Sequence, residues 1–335
     1  MAAIEQHRSG SGSATGLRLR PFAGEADLAE MVRVHNAEAE ADDMHYRTSV
    51  EELAAFVAHP SPSFQPFRDI TIAELDGRVV AVAHREVIDT TDGFREYRVD
   101  GEVDPHYRRR GIGRALLEEN ERRLRELEAS EPGARTPIFG SWSSERQPGD
   151  QALLESAGYT PARWFFGMVR PNLDEVPYIS LPDGLEVRAI DRAGARQVWD
   201  GLVEAFADHW GGFDSSDEQL LRWLDSPTVD PSLWVVAFDG DEVAGGVVNG
   251  IDPEQNAALG VQRGWLNSVF TRRRWRRRGL ATATIAMSLR VLREHGMTSA
   301  GLGVDADNPS GALGLYEGLG FAVDVRSTAW RKAFS

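Results

Sequence analysis

The spacing of apolar residues predicts strands and helices that alternate along the chain. In "ARQVWDGLVEAFADHW" (195–210) the apolar residues Val198, Leu202 and Phe206 recur at helical intervals. The stretch 264–271, "GWLNSVFT", is short and predominantly apolar, as in a strand. Two apolar runs around an Asp-Gly turn, "LWVVAFDGDEVAGGVVNG" (233–250), predict a β-hairpin. The pattern therefore predicts an α/β protein.

The same order of elements is predicted twice, because several segments recur in order along the chain. Gly111 and Gly279 lie 168 residues apart within similar segments. The matching pairs are "RRRGIGRALL" (108–117) with "RRRGLATATI" (276–285), "GLRLRPF" (16–22) with "GLEVRAI" (184–190), and "LLESAGY" (153–159) with "LYEGLGF" (315–321). Three ordered matches favour a duplicated domain over chance similarity.

The repeat predicts a division of the chain into two domains, each a mixed central β-sheet flanked by helices. A polar tail would occupy 1–16, the first domain 17–171 and the second 185–335. The connection 172–184, "NLDEVPYISLPDG", is rich in proline and turn-forming residues, as in a linker.

Composition narrows the classes of function. The chain has 335 residues, 41% of them hydrophobic, a net charge of −15 and no cysteine. Such acidity argues against binding to nucleic acid or to an anionic membrane by the whole surface, and the missing cysteines exclude disulfides and thiolate metal sites. No apolar run approaches the ~20 residues that span a bilayer. We expect a cytoplasmic protein without a metal, either a monomer or a homodimer.

Positive charge nevertheless concentrates before one predicted helix, where six arginines occupy the seven residues 272–278. Glycine follows the arginines here and at the matching turn of the first half. A strand that turns through glycine into a helix exposes unpaired backbone N–H groups, and arginine adds bidentate phosphate donors. The pair of turns favours binding of a diphosphate. The alternatives are a nucleic-acid patch with one stacking tryptophan and a solvated basic turn.

These turns resemble the R-x-x-G-x-G/A signature of the GCN5-related N-acetyltransferases (GNAT family). The motif stands in the chain as Arg108, Gly111 and Gly113, and again as Arg276, Gly279 and Ala281. The segment 302–321, "LGVDADNPSGALGLYEGLGF", is similar to the strand, Asn, short helix and Tyr-x-x-x-Gly-Phe pattern of the same family. The resemblance covers both halves of the chain, in a tandem arrangement.

The resemblance implies an acetyl-CoA-dependent N-acetyltransferase that acts on the primary amine of a small molecule, with its chemistry in the second domain. The alternative is a non-catalytic acyl-CoA-binding or regulatory protein on the same duplicated fold. The implied coenzyme A contacts in the second domain are Val269, Phe270, Thr271, Arg276, Arg277, Arg278, Gly279, Leu280, Ala281, Thr282 and Asn308. Those in the first domain are Val103, Arg108, Arg110, Gly111, Ile112, Gly113 and Arg114.

The resemblance also assigns the acid that protonates the leaving thiolate to Tyr316. A phenol with a pKa of ~10 suits a thiolate of comparable basicity. The alternative is an ordinary half-buried helix tyrosine. The first half has Leu154 at the matching position and Arg146 in place of Asn308. We therefore expect the first domain to have lost the chemistry, and to bind acetyl-CoA or to serve as a scaffold.

The general base is less clearly marked. The central strand of the second domain offers only Asn267 and Ser268, which are not basic, so Asn267 is expected to contact the acceptor. After the first helix of that domain, Asp208 and His209 could deprotonate an ammonium that binds against Trp210. The alternative is a helix end with a core tryptophan and a solvated histidine.

Overall fold

Strands and helices alternate along both halves, which confirms the predicted α/β class. The computed structural model describes residues 15–58, 60, 63–207, 209–211, 215–226, 228–307 and 311–334. The first half contains β1 (Leu17–Pro21), α1 (Glu25–Ala41), α2 (Val50–Ala58), α3 (Pro66–Asp69), β2 (Ile70–Leu75), β3 (Arg78–Asp89), β4 (Phe94–Val103), α4 (Ile112–Ser130), β5 (Thr136–Ser144), α5 (Pro148–Ser156) and β6 (Thr160–Arg170).

The second half contains β7 (Glu186–Arg188), α6 (Ala195–Phe206), α7 (Asp217–Asp225), β8 (Val235–Asp239), β9 (Glu242–Ile251), α8 (Pro253–Leu259), β10 (Arg263–Thr271), α9 (Leu280–Glu294), β11 (Ser299–Asp305), α10 (Ala312–Gly318) and β12 (Ala322–Ala333). Among the described residues, the second half repeats the order of the strands and of the main helices, with α8 added between its third and fourth strands and no α-helix that matches α3. Within the residues described, no helix is both long enough and apolar enough to cross a membrane.

The chain forms two compact units whose limits differ from the sequence repeats. The first unit comprises the described residues up to Val87 together with Tyr97–Ala134 and Phe334. The second comprises Ile88–Glu96 and Arg135–Ala333. The domain limits at 171 and 185 follow from the repeats alone and stay a prediction.

The first unit is a sheet with strand order β1-β2-β3-β4, covered by helices on both faces. Leu28 and Val34 of α1 pack in one apolar cluster with Ile72 of β2. Ile112 and Leu116 of α4 pack in another cluster with β2 and β3 residues. The two clusters draw on alternate residues of the same strands, as the two-residue period of a strand requires.

The second unit has the strand order β5-β12-β6-β11-β10-β9-β8-β7. Ile285, Leu289 and Leu292 of α9 are fully buried in one cluster on this sheet. Val198 and Leu202 of α6 are buried in a second cluster. Val198 and Leu202 belong to the apolar face that the sequence predicts for α6, and the three residues of α9 recur at the same helical spacing.

Two strands are exchanged between the sequence repeats. The last strand of the chain, β12, lies between β5 and β6, since Ala329 is opposite Trp142 on one side and Arg163 on the other. β6 in turn pairs with β11, where Gly167 is opposite Gly303. β6 thus belongs to the first repeat in sequence and to the second unit in structure.

This exchange predicts that the second repeat is not self-sufficient. A fragment of residues 172–335 lacks β6 and leaves facing edges of β11 and β12 unpaired, which favours aggregation. A fragment of residues 135–335 retains β5 and β6 and lacks only Ile88–Glu96 of the second unit. We expect the longer fragment to be soluble and to unfold cooperatively, and the shorter one to aggregate, as measured by size-exclusion chromatography and thermal melting. A stable monomer from the shorter fragment would contradict the exchange.

Candidate functional site

The two arginine–glycine turns have the same unusual backbone. Arg109 and Arg277 adopt positive φ angles of 64° and 61°, and Gly111 and Gly279 have φ of 79° and 83°. An L-residue in the left-handed region costs about 1–2 kcal/mol, so each turn holds an arginine in a strained conformation. Strain of this kind concentrates at functional sites. Its recurrence at the same place in both halves supports a shared ancestral function.

Each turn opens directly into a helix that has no side-chain cap. Gly111 precedes α4 and Gly279 precedes α9, and neither helix start receives a side-chain hydrogen bond. Among the described residues, no heavy atom lies within 4 Å of the position that a Cβ on Gly279 would take. Uncapped N–H groups beside open space form a cradle for an anion.

Apolar residues anchor the first turn of each helix. Ile112 and Leu280 are both only 1% exposed, so the N-terminus of each helix is fixed against the core. The neighbouring Gly113, Ala281 and Thr282 are partly exposed.

The arginines of the two turns have different partners. Arg108 donates to both carboxylate oxygens of Asp42, at 2.7 and 2.6 Å, and to Glu38 at 3.1 Å. Its counterpart Arg276 donates to two backbone carbonyl oxygens, those of Thr271 (3.1 Å) and Ala205 (3.2 Å). Carboxylates neutralise a guanidinium, whereas carbonyls leave its charge in place.

Exposed arginines follow in each turn. Arg277 and Arg278 make no ion pair within the described part of the chain. Arg110 lies with its guanidinium 5.1 Å from the ring centroid of Tyr107, and Arg114 is exposed. The second turn thus offers more unneutralised positive charge to an anionic ligand.

The tryptophan within the arginine cluster is not available for stacking on a base. Trp275 is 2% exposed, and its indole N–H donates to Asp239 at 2.9 Å. The guanidinium groups of Arg272 and Arg274 lie over its ring, at 5.3 and 4.9 Å from the centroid. This geometry removes the main support for a nucleic-acid patch.

The central strands of the second unit separate beside the second turn. β10 and β11 are parallel, and their register covers only Arg263 to Trp265 of β10. From there to Thr271, β10 pairs on its other edge with β9. Beyond Trp265, no strand among the described residues pairs with the edge that faces β11, which includes Val269, Phe270 and Thr271. Free backbone N–H and C=O groups at such an edge can pair with an extended ligand.

A β-bulge lies in β10 where the strands part. The register with β9 shifts between Leu266 and Ser268, so Asn267 is the extra residue and is exposed. Bulges redirect side chains next to active sites. The side-chain amide of Asn267 lies on the β9 side of the strand, with Nδ2 2.5 Å from the position that a Cβ on Gly250 would take, so the expected contact of Asn267 with the acceptor stays a prediction.

Tyr316 on α10 packs into the apolar cluster that contains residues of β10 and β11. The cluster includes Leu266, Leu302 and Val304. Tyr316 is 7% exposed, and burial raises the pKa of its phenol to about 12. Among the described residues its hydroxyl has no hydrogen-bond partner. The side chain is a protonated phenol at neutral pH, with its donor unused.

The structure places Leu154 at the equivalent position of α5. Leu154 is the buried residue of α5 and Tyr316 that of α10. The N–H of Tyr159 donates to the Leu154 carbonyl at 3.0 Å, and the N–H of Phe321 donates to the Tyr316 carbonyl at 3.1 Å. The sequence match between these helices is therefore confirmed.

The loop after α6 carries the other predicted catalytic residues. His209 Nδ1 lies 3.1 Å from the Trp210 carbonyl oxygen, and the His209 carbonyl accepts a hydrogen bond of 2.7 Å from the Thr91 hydroxyl. The ring of Trp210 lies beneath the guanidinium groups of Arg331 and Arg163, at 4.5 and 5.6 Å. Asp208 and Asn308 lie outside the described residues.

Sequence reasoning missed the groups around Trp210. Arg331 donates to Asp92 at 2.6 Å and to Glu96 at 3.1 Å. The pKa of Asp92 lies below its usual value: partial burial alone would raise it, and the hydrogen bonds from Arg331 and Thr90 outweigh that effect. Arg163 donates to both carboxylate oxygens of Asp305 at 2.9 Å. No local sequence signal marks these pairs, since the strand exchange brings them together.

Comparison with known families gives two matches along the chain. Residues 199–321 match the model described as "Acetyltransferase (GNAT) family". Residues 66–161 match the model described as "Acetyltransferase (GNAT) domain".

Curated relatives cover nearly the whole chain. A mycothiol acetyltransferase of Geodermatophilus obscurus is 28% identical over 332 residues, covering 92% of the chain and 95% of that protein. A mycothiol acetyltransferase of Salinispora arenicola is 30% identical over 277 residues, covering 77% and 79%.

Solved structures share the fold. A GCN5-related N-acetyltransferase from Sphaerobacter thermophilus has a TM-score of 0.72 at 24% identity, covering 96% of the chain and 97% of that protein. A tandem GNAT protein from the clavulanic acid biosynthesis pathway has a TM-score of 0.71 at 17% identity, covering 95% and 99%. The chain thus belongs to the GNAT acetyltransferase family, carries two such domains in tandem, and is an N-acetyltransferase.

Proposed function

We propose that the protein transfers the acetyl group of acetyl-CoA to the primary amine of a small molecule, and that the chemistry takes place in the second half of the chain. One observation carries this proposal. The edge of β10 without a strand partner among the described residues leads into the open turn at Gly279, and the buried phenol of Tyr316 packs in a cluster with Leu266 of β10 and Val304 of β11. Leu154 supplies no phenol at the equivalent place in α5.

The residues of the second turn fit coenzyme A. The backbone N–H groups from Arg276 to Thr282 would hold the diphosphate, helped by the dipole of α9. Arg277 and Arg278 supply charge-assisted donors that no carboxylate occupies within the described residues. The edge at Val269, Phe270 and Thr271 would pair with the pantetheine arm as an added strand. Asn308 remains an expected contact.

The protein's own groups would manage the geometry and the protons. Acetyl-CoA supplies a thioester that an amine attacks directly. Tyr316 would donate its proton as the thiolate leaves. Burial keeps its phenol neutral far above physiological pH, and its pKa of about 12 makes it a weaker acid than the match at ~10 expected from the sequence. The imidazole of His209, with Asp208, is the proposed acceptor of the ammonium proton. Trp210 and Asn267 would contact the acceptor.

In the first half we propose that a turn of the same ancestry is kept but that no acetyl transfer takes place there. Val103, Arg108, Arg110, Gly111, Ile112, Gly113 and Arg114 keep the shape of a cofactor turn. However, Arg108 is held by Asp42 and by Glu38, whose side chains are 8% and 3% exposed. Leu154 cannot donate a proton. The names of the curated relatives make acceptors of the mycothiol type the first class to test.

Replacement of Tyr316 by phenylalanine tests the acid. We expect kcat for acetyl-CoA-dependent CoA release to fall about 10²–10⁴-fold, the usual contribution of a general acid. KM for acetyl-CoA should change little, because the ring and its packing remain. Tyr178→Phe is the matched control, since it removes the same hydroxyl from a side chain that is 84% exposed. Equal kcat in Tyr316→Phe and wild type would remove Tyr316 from the mechanism.

Paired arginine variants test which turn serves catalysis. The double variant Arg277→Ala, Arg278→Ala removes two exposed charges at the second turn, and Arg109→Ala, Arg110→Ala removes the matching pair at the first. Each charged hydrogen bond contributes about 1.5–3 kcal/mol. We expect the second-turn variant to raise KM for acetyl-CoA at least tenfold, and the first-turn variant to raise it less than threefold. The reverse order would place the working cofactor at the first turn.

A further inference from the structure

The face of the second-unit sheet that lies opposite α9 carries Trp210, the proposed acceptor contact, together with aromatic and charged residues that have no role in the mechanism proposed above. Met168, Leu302 and Val304 point into the α9 cluster. Neighbouring residues on the same strands must point to the opposite face, and there Phe165 is opposite Asp305 and Gly167 is opposite Gly303. Asp305 is the last residue of β11, so Phe165 lies at the carboxyl end of that strand.

Three aromatic rings line this face. The ring centroids of Trp142 and Phe165 are 4.8 Å apart, and those of Phe165 and Trp210 are 5.9 Å apart. All three side chains are partly exposed. Gly303 is exposed beside them, and no described heavy atom lies within 4 Å of where its Cβ would be. The sheet surface at Gly303, next to the rings, is therefore accessible to a ligand.

Ion pairs surround these rings. Arg331 is paired with Asp92 and Glu96, and Arg163 with Asp305. Both guanidinium groups lie over Trp210. Three carboxylates against two guanidinium groups leave one negative charge in excess. We call Trp142, Phe165, Trp210 and these ion-paired side chains the acceptor wall.

The acceptor wall is tied to the cofactor turn. Arg276 of the turn donates to the carbonyl of Ala205 in α6, at 3.2 Å. Glu204, the preceding residue, is paired with Arg272 at 2.6 Å. Trp210 follows within a few residues, on a loop whose other side is held by Thr91. The rings thus lie at the end of the sheet where the thioester would emerge.

We propose that the acceptor wall binds the acceptor and selects amines that carry an ammonium group and no phosphate or carboxylate. The rings of Trp142 and Phe165 attract the cation, whereas both guanidinium groups already lie over Trp210. The excess carboxylate charge among these side chains repels anions. This inference rests on the proposed function. It assigns to Arg163, Arg331, Asp92 and Asp305 a role in specificity, and it makes segments of the first sequence repeat part of the second repeat's site.

Matched pairs of amines test the acceptor wall on the intact chain. The probes are glucosamine with glucosamine 6-phosphate, and ethanolamine with phosphoethanolamine, at saturating acetyl-CoA. We expect the unphosphorylated member to have a KM at least tenfold lower. Asp92→Asn should narrow this ratio at least threefold and leave KM for acetyl-CoA within twofold of wild type. Asp225→Asn, which removes a charge from an exposed pair with Arg192, is the control and should leave the ratio unchanged.

Two results would overturn the acceptor wall. One is equal or better use of the phosphorylated amines. The other is an Asp92→Asn variant whose KM for acetyl-CoA changes as much as that for the amine.

If acetyl-CoA binds but no amine is acetylated, saturation-transfer NMR of the same amines separates the two ideas. If the unphosphorylated amine binds more tightly, and Asp92→Asn weakens this binding preference, the acceptor wall is supported although amine acetylation has failed. No binding of any amine would overturn the wall.

Discussion

The early end of the pairing between β10 and β11 is the constraint on which the rest of the site depends. Backbone N–H and C=O groups in a central strand need partners, and within the described part of the chain no strand pairs with one edge of β10 beyond Trp265. Along the chain, α9 follows β10 and α10 follows β11, so a helix follows each of the two strands that part. An extended ligand that pairs with this edge would give these backbone groups their hydrogen-bond partners. The same break in strand pairing thus shapes the fold and provides a binding edge.

The two halves show how a duplicated fold diverges while its backbone persists. Both turns retain the left-handed arginine and glycine, although such an arginine is strained. The two halves differ in their side chains. The short helix carries Tyr316 in the second half and Leu154 in the first. Arg276 donates to backbone carbonyls, whereas Arg108 donates to carboxylates. The strained backbone shared by both turns thus points to a common origin, whereas the side chains around the turns differ between the two halves.

Much of the architecture could be predicted from sequence because it is local. The predicted hairpin at 233–250 coincides with β8 and β9, and the apolar spacing in 195–210 predicted the buried face of α6. The equivalence of Tyr316 and Leu154 followed from matching segments. The exchange of β6 and β12 could not be predicted, since a two-residue period fixes which face is buried but not which strand is the partner. The ion pairs around Trp210 were missed for the same reason.

The most direct test of the account is a crystal structure of the intact chain with coenzyme A bound. The account predicts the diphosphate at the N-terminus of α9, the pantetheine arm along Val269 to Thr271, and the sulfur within reach of the Tyr316 hydroxyl. Coenzyme A bound only at the N-terminus of α4, with the edge of β10 left free, would contradict it.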